Sequence, residues 1–130
     1  MALEQARKAA VAVHQALAAA AVPHAIGGSL AAALYFEPRP VADLDVNVFL
    51  PGREWRRAVE ALLAARPAPT LPVHLFFSHD LLHEAMPAAV HELNVDGTAI
   101  PLVAPEHILA RKLLLDRPKD REDIERWLTG

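Results

Sequence analysis

The sequence has no cysteine, so disulfides and Cys-based zinc sites are excluded and a reducing cytosol is compatible with it. Its formal net charge is only −3. It therefore lacks the global basic footprint that grips nucleic acid non-specifically, and a nucleic-acid partner would need a local basic patch. The apolar run VAVHQALAAAAV holds His14 and Gln15 and is too short to span a bilayer. The opening residues, MALEQARK, include Glu4 and lack the basic-then-apolar order of a signal peptide. No internal repeat, low-complexity tract or long linker interrupts the chain. The expectation is a soluble, cytoplasmic protein with no membrane partner.

What is present fits one domain over residues 1–130. Hydrophobic residues make up 53% of the chain, which suffices for a core. Much of that fraction is Ala, which packs tightly but adds little area per residue.

Residues 3–21 are rich in Ala, Leu, Gln, Glu and Lys and predict a helix that ends at Val22-Pro23. His24-Ala25-Ile26 is short enough for a buried strand, broken by Gly27-Gly28. Ser29 is then expected as the N-cap of the helix SLAAALYF. Two prolines make 37–42 a loop. In DLDVNVFL, Asp43, Asp45 and Asn47 alternate with Leu44, Val46 and Val48, the period-2 pattern of a strand with one polar and one buried face.

Pro51-Gly52 turns the chain into an amphipathic helix, REWRRAVEALLAAR. Trp55, Val59, Leu62 and Leu63 are expected on its apolar side. RPAPT reads as a loop and VHLFF as a third strand. SHDLLHEAM reads as a short helix capped by Ser78 or Asp80. HELNV and TAIPLV flank Asp96-Gly97 as a hairpin. Pro105 and Pro118 open two final helices. The order α-β-α-β-α-β-α-ββ-α-α predicts an α+β fold, a small mixed sheet with helices mainly on one face.

Asp43 and Asp45 share a strand face, with Cα atoms roughly 6.6–7 Å apart. Two carboxylates that close repel unless a cation lies between them, and Mg²⁺ binds such carboxylates together with phosphate oxygens and water. Between a strand and a helix, Gly27-Gly28-Ser29 lets backbone N–H groups approach a phosphate without a Cβ in the way. The helix N-terminus adds partial positive charge. Taken singly, each feature has a plain structural reading, a solvated sheet edge or a capped helix start. A phosphate cradle followed by a metal clamp is far more specific than either.

The arrangement Gly28-Ser29, a spacer of residues 30–42, then Asp43-Leu44-Asp45 resembles the nucleotidyltransferases of the DNA polymerase beta superfamily. The likeness is greatest to minimal bacterial nucleotidyltransferases and to the nucleotidyltransferase-like toxins of abortive-infection systems. Gly27 and Arg39 fit the same local pattern. A second block, IPLVAPEHILARKLLLDRPKDREDIERWL, is similar to the family's C-terminal region, with Lys112, Arg117, Lys119, Asp120 and Asp123 at corresponding places.

The resemblance implies transfer of a nucleoside monophosphate from an NTP to an acceptor, with Mg²⁺ (or Mn²⁺) bridging carboxylates and phosphates. It implies phosphate contacts from Gly27, Gly28, Ser29 and Lys112, metal ligation by Asp43 and Asp45, and catalytic roles for Asp43, Asp45 and the residue at position 74. Without it, Lys112 reads as an exposed helix lysine and KDREDIER as a solvated charged face. The acceptor is open between a protein, a tRNA end and a small molecule. The small domain points to a homodimer or a partner protein, for instance one half of a toxin–antitoxin pair.

One position departs from the family pattern. The third carboxylate is expected on the strand LPVHLFF, and His74 stands there. His74 is a neutral general base in one reading. Imidazole is a poor Mg²⁺ ligand but acceptable to Mn²⁺ or Zn²⁺. In a second reading the protein binds nucleotide without turning it over, as a noncatalytic module of the same fold. In a third, Asp80 supplies the missing carboxylate, although it lies past the strand end. The plain alternative is a satisfied sheet histidine. His79 and His83, four residues apart, read as solvent-facing histidines rather than a metal pair. His91 and His107 have no obvious partner.

Overall fold

The computed structural model describes residues 3–65 and 71–129. The loop expected at RPAPT occupies 66–70, outside the described residues. The elements are α1 (Leu3–Ala19), β1 (His24–Ile26), α2 (Gly28–Tyr35), β2 (Leu44–Pro51), α3 (Trp55–Ala65), β3 (Val73–Ser78), α4 (Leu81–Ala85), β4 (His91–Val95), β5 (Thr98–Leu102), α5 (Pro105–Leu115) and α6 (Pro118–Thr129). This is the α+β order that the periodicities predict.

The five strands form one mixed sheet in the order β3-β2-β1-β5-β4. β1 runs antiparallel to β2 and parallel to β5, and β2 runs parallel to β3. β4 and β5 form the expected hairpin. Asp96 and Gly97 both take positive φ, 51° and 88°, as a type I′ turn demands.

β2 explains why one face carries a core and the other a site. Leu44, Val46, Val48 and Leu50 are buried, while Asp45, Asn47 and Phe49 on the alternate face are only partly covered. The buried set joins one core with Val13 and Leu17 of α1 and Ala58 of α3. On the opposite face α4 reaches only the far end of β2, where the His83 and Phe49 rings meet at 5.5 Å.

Several local expectations are corrected. α1 stops at Ala19, before the residues adjoining Pro23. Ala21 takes φ 55°, its N–H donates to Ala18 O (3.0 Å), and the Val22 N–H donates to Leu17 O (2.9 Å). That is a Schellman end, with Ala where Gly is usual.

Ser29 is not the N-cap of α2. Gly27 holds that position with no side-chain bond. The glycine turn brings the chain into the helix at Gly28, so Ser29 lies within the first turn. On α3 the fully buried residue is Ala58, while Trp55 and Leu63 are exposed at 46% and 68%. α3 lies against Ala-rich α1, and a small side chain permits that close approach. Leu62 covers the core from beside it.

Asp80, not Ser78, caps α4, accepting from the His83 N–H at 2.7 Å. The solvent-facing reading of His83 is overturned, because the residue is fully buried. α4 lies across β2 and β3 and turns His83 toward the sheet. Its Nε2–H donates to Phe76 O at 3.2 Å. His79 precedes α4, so the two histidines do not share a helix face.

Candidate functional site

The glycine turn and the paired carboxylates are in direct contact. Gly27 N–H donates to Asp45 O at 2.9 Å, tying the turn to β2. A Cβ on Gly27 would come 2.7 Å from Asn47 Nδ2. Gly28 takes φ +58°, and a Cβ there would overlap the Asp45 carboxylate. Gly28 therefore demands glycine for approach and for backbone conformation, whereas a Cβ at Gly27 would require the Asn47 amide to move. The first N–H groups of α2, at Gly28, Ser29 and Leu30, have no carbonyl one turn back to accept them. They lie at the turn, and Gly28 and Ser29 line the cleft.

His74 reaches the same place from the other side. Asp45 and His74 are register partners across the parallel β2–β3 pair. His74 Nδ1 lies 3.6 Å from Asp45 Oδ1 and 3.7 Å from Asp43 Oδ2. One ligand atom from each of Asp43, Asp45 and His74 falls within 4.8 Å of the others. Burial, then the charge of Asp43, pushes the Asp45 carboxyl above the usual carboxylate range, with His74, Arg117 and Lys119 opposing. Asp45 Oδ2 faces the glycine turn and Oδ1 faces β3.

These groups line an open cleft of about 520 Å³, whose far wall includes Lys112, Arg39 and Arg117. Lys112 is not the exposed helix lysine of the plain reading. Its side chain is only 15% exposed, and Nζ donates to Asp120 Oδ1 (3.2 Å) and Asp123 Oδ2 (3.0 Å).

Nor is KDREDIER simply a solvated face. Asp120 and Asp123 are buried. Asp120 is held by the Arg117 guanidinium at 2.6 and 3.1 Å. Arg117 and then Lys112 bring its carboxyl down to about 2, against burial. Asp123 accepts from Arg39 (2.7 Å) and Arg126 (2.7 Å) as well as Lys112. Burial would raise the Asp123 carboxyl, but Arg39 and Lys112 outweigh it and hold it low.

Trp127 packs against the residues of this wall. Its ring stacks on Phe36 at 4.5 Å, with Arg39 and Lys112 over it at 5.3 and 5.2 Å. Asp120, Asp123 and Trp127 recur at i, i+3 and i+7, one face of a helix. That spacing was the available signal for a role the charge pattern concealed. Asn47, the next residue of the Asp43/Asp45 face, also lines the cleft, a neighbour legible from the same period-2 pattern.

The remaining candidates separate from this group. Asp80 is bound by the Arg111 guanidinium at 2.8 and 3.1 Å, which holds its carboxyl far below the usual range. It is a helix cap and ion-pair partner, not a third carboxylate beside Asp45. His79 lines the cleft, and its Nδ1–H donates to Phe77 O at 2.6 Å. The His79 and His83 ring centroids are 5.0 Å apart, but among the described residues the group with metal-ligand spacing is Asp43, Asp45 and His74.

No family model matches the chain. No curated protein sequence matches it. Among solved structures it is similar to the crystal structure of an antigenic nucleotidyltransferase-like protein from Paracoccidioides brasiliensis. The TM-score is 0.68 at 20% identity, over 97% of this chain and 75% of that one. The fold is therefore nucleotidyltransferase-like, as the motifs implied. Among the described residues no helix is long and apolar enough to cross a membrane.

Proposed function

We propose that the chain is a metal-dependent nucleotidyltransferase, moving a nucleoside monophosphate from an NTP to an acceptor hydroxyl. One observation carries this reading: Gly28 lies so close to Asp45 that no other residue fits, which joins a phosphate cradle to a carboxylate pair within one cleft. Two carboxylates and an imidazole at coordinating distance suit a divalent cation. When bound by Asp43 and Asp45, such a cation supplies neutralisation of the phosphate oxygens.

The chain's own residues do the rest. The N–H groups of Gly28 and Ser29 receive phosphate oxygens, assisted by the positive end of α2. Gly27 acts through position, since its own N–H is engaged by Asp45 O. Lys112 and Arg117 place positive charge along the triphosphate. The glycine turn lies on the β1 side of Asp45 and His74 on the β3 side, so the acceptor approaches over β3. The acceptor oxygen bonds to the α-phosphorus as the bond from that phosphorus to the bridging oxygen breaks. Pyrophosphate leaves with those electrons, and the acceptor proton passes to solvent water through the open cleft. Protein, tRNA and small-molecule acceptors all meet this chemistry.

The test is labelling with an NTP that carries its radiolabel on the α-phosphate. The double variant Asp43→Asn, Asp45→Asn is expected to abolish metal-dependent labelling, and persistent labelling would sink the proposal.

A second reading is favoured by His74 itself. With an imidazole in place of a third carboxylate, the domain would hold nucleotide without transferring it. Thermal stabilisation by NTP plus Mn²⁺, with no pyrophosphate released across a panel of acceptors, would select that reading.

A further inference from the structure

Resting on the divalent-cation site of that reading, we propose that the site selects a first-row transition dication over Mg²⁺, with His74 Nδ1 as its third protein donor. Three observations converge on His74.

The first is orientation. Nδ1 faces both carboxylates, at 3.6 and 3.7 Å. An octahedral ion with donors at about 2.1 Å has neighbouring donors about 3 Å apart. The two separations exceed that spacing by about 0.6–0.7 Å, and the β2–β3 register already sets Asp45 beside His74.

The second is the state of the carboxylates. Asp80, Asp120 and Asp123 are each tied to Arg or Lys. Among the described residues Asp43 and Asp45 have no such partner, and only His74 lies within ion-pair distance of them. Arg117 and Lys119 act on Asp45 from further away. The pair is left open to a cation while the surrounding acids are closed.

The third is donor chemistry. Mg²⁺ takes oxygen ligands and parts reluctantly with water. A neutral imidazole nitrogen binds Co²⁺ and Zn²⁺ far better, and Mn²⁺, the weakest first-row binder of such nitrogen donors, still better than Mg²⁺. Replacing a third carboxylate by His74 also removes one negative charge, which costs Mg²⁺ more than a metal that gains a nitrogen bond. The ring makes no hydrogen bond to a described residue that would hold Nδ1 away.

The test uses the full chain without nucleotide, so its result is independent of whether any transfer occurs. Free Mn²⁺ is followed by electron paramagnetic resonance, and Mg²⁺ is then titrated as competitor. Wild type is expected to bind Mn²⁺ at Asp43/Asp45 and to need at least about a tenfold excess of Mg²⁺ for displacement. His74→Ala should weaken Mn²⁺ binding about tenfold or more and remove the nitrogen coupling from the spin-echo spectrum of the bound ion. His74→Asp should narrow the Mn²⁺/Mg²⁺ ratio by strengthening Mg²⁺.

Circular dichroism checks folding, and His74→Gln replaces any variant that does not fold. Mn²⁺ affinity unchanged in His74→Ala, an unchanged ratio in His74→Asp, or no Mn²⁺ bound by wild type each overturns the proposal. The first of these would return His74 to a role as base. Loss of the labelling prediction with these metal results intact would instead reject nucleotidyl transfer alone.

Discussion

Gly28 and Asp45 compete for the same space: a single methyl group on Gly28 would overlap the carboxylate that faces the cation site. The contact makes two otherwise weak motifs interdependent.

Gly28→Ala should therefore fail twice. Its φ of +58° costs an L-residue about 1–2 kcal/mol, and the Cβ displaces Asp45. Urea unfolding should show the stability loss, and the thermal shift given by NTP plus Mn²⁺ should disappear. Retention of both would show that the turn and the carboxylate are not coupled.

Asp45→Asn separates stability from activity. Burial and Asp43 raise the Asp45 carboxyl in the folded state. A raised carboxyl contributes stability below its unfolded value, near 3.8, and loses it as pH rises through the folded value. At neutral pH the ionised Asp45 is thus a liability without a cation. Asp45→Asn is expected to melt at higher temperature than wild type in metal-free buffer at pH 7, with the gain vanishing near pH 3.5. It should also lose labelling. A lower melting temperature at pH 7 contradicts this account of the site.

Asp123 carries the opposite expectation. Its side chain is only 8% exposed, and it holds cations from the loop before β2, from α5 and from α6. Asp123→Asn removes the acceptor shared by three cations, leaving Arg39 and Arg126 only Glu37 and Lys112 only Asp120, and the expected loss is about 2 kcal/mol by urea unfolding. Asp116→Asn breaks an ion pair whose partners are 57% and 70% exposed, and no measurable change is expected. Equal effects of the two would remove the structural case for the α6 network.

Acid should weaken the fold in a defined window. Burial is the main cause lowering His14, His24 and His83 from the ordinary imidazole value. His24 Nδ1–H donates to Val22 O at 2.8 Å, so its Nε2 accepts from His14 Nδ1–H at 2.8 Å. Both rings are neutral in that arrangement. Such groups contribute stability above about pH 6.5, lost as pH falls toward the depressed folded values. His24→Asn keeps a donor for Val22 O and removes one titration. Its stability should fall less steeply than wild type between pH 6.5 and 5, above the range where Asp120 begins to protonate. An unchanged slope rules out His24 as a contributor.

The legible parts share a physical origin. Alternation along residues 43–50 declared the β2 face, because strand periodicity is local. Asp96-Gly97 declared the hairpin, because few residue pairs accept positive φ twice. Gly28-Ser29 and Asp43-Leu44-Asp45 could be paired because each needs its residue types for its own chemistry. The illegible parts depended on which way a helix turned. Ala58 rather than Trp55 faces the core, and His83 faces the sheet rather than water, because helix rotation is decided by the neighbour it packs against. Ser29 missed the N-cap because the glycine turn starts the helix one residue early.

The sequence by itself thus determined the elements, their order, the carboxylate pair and the glycine turn, all governed by contacts of a few residues. Only the tertiary structure decided that His74 points Nδ1 at Asp43 and Asp45, that Gly28 touches Asp45, and that Asp120 and Asp123 are closed while the cation site is open. Those facts follow from strand register and helix docking between segments far apart in the chain. In such contacts charge pairing and steric exclusion are settled by position in space and leave no local pattern to read.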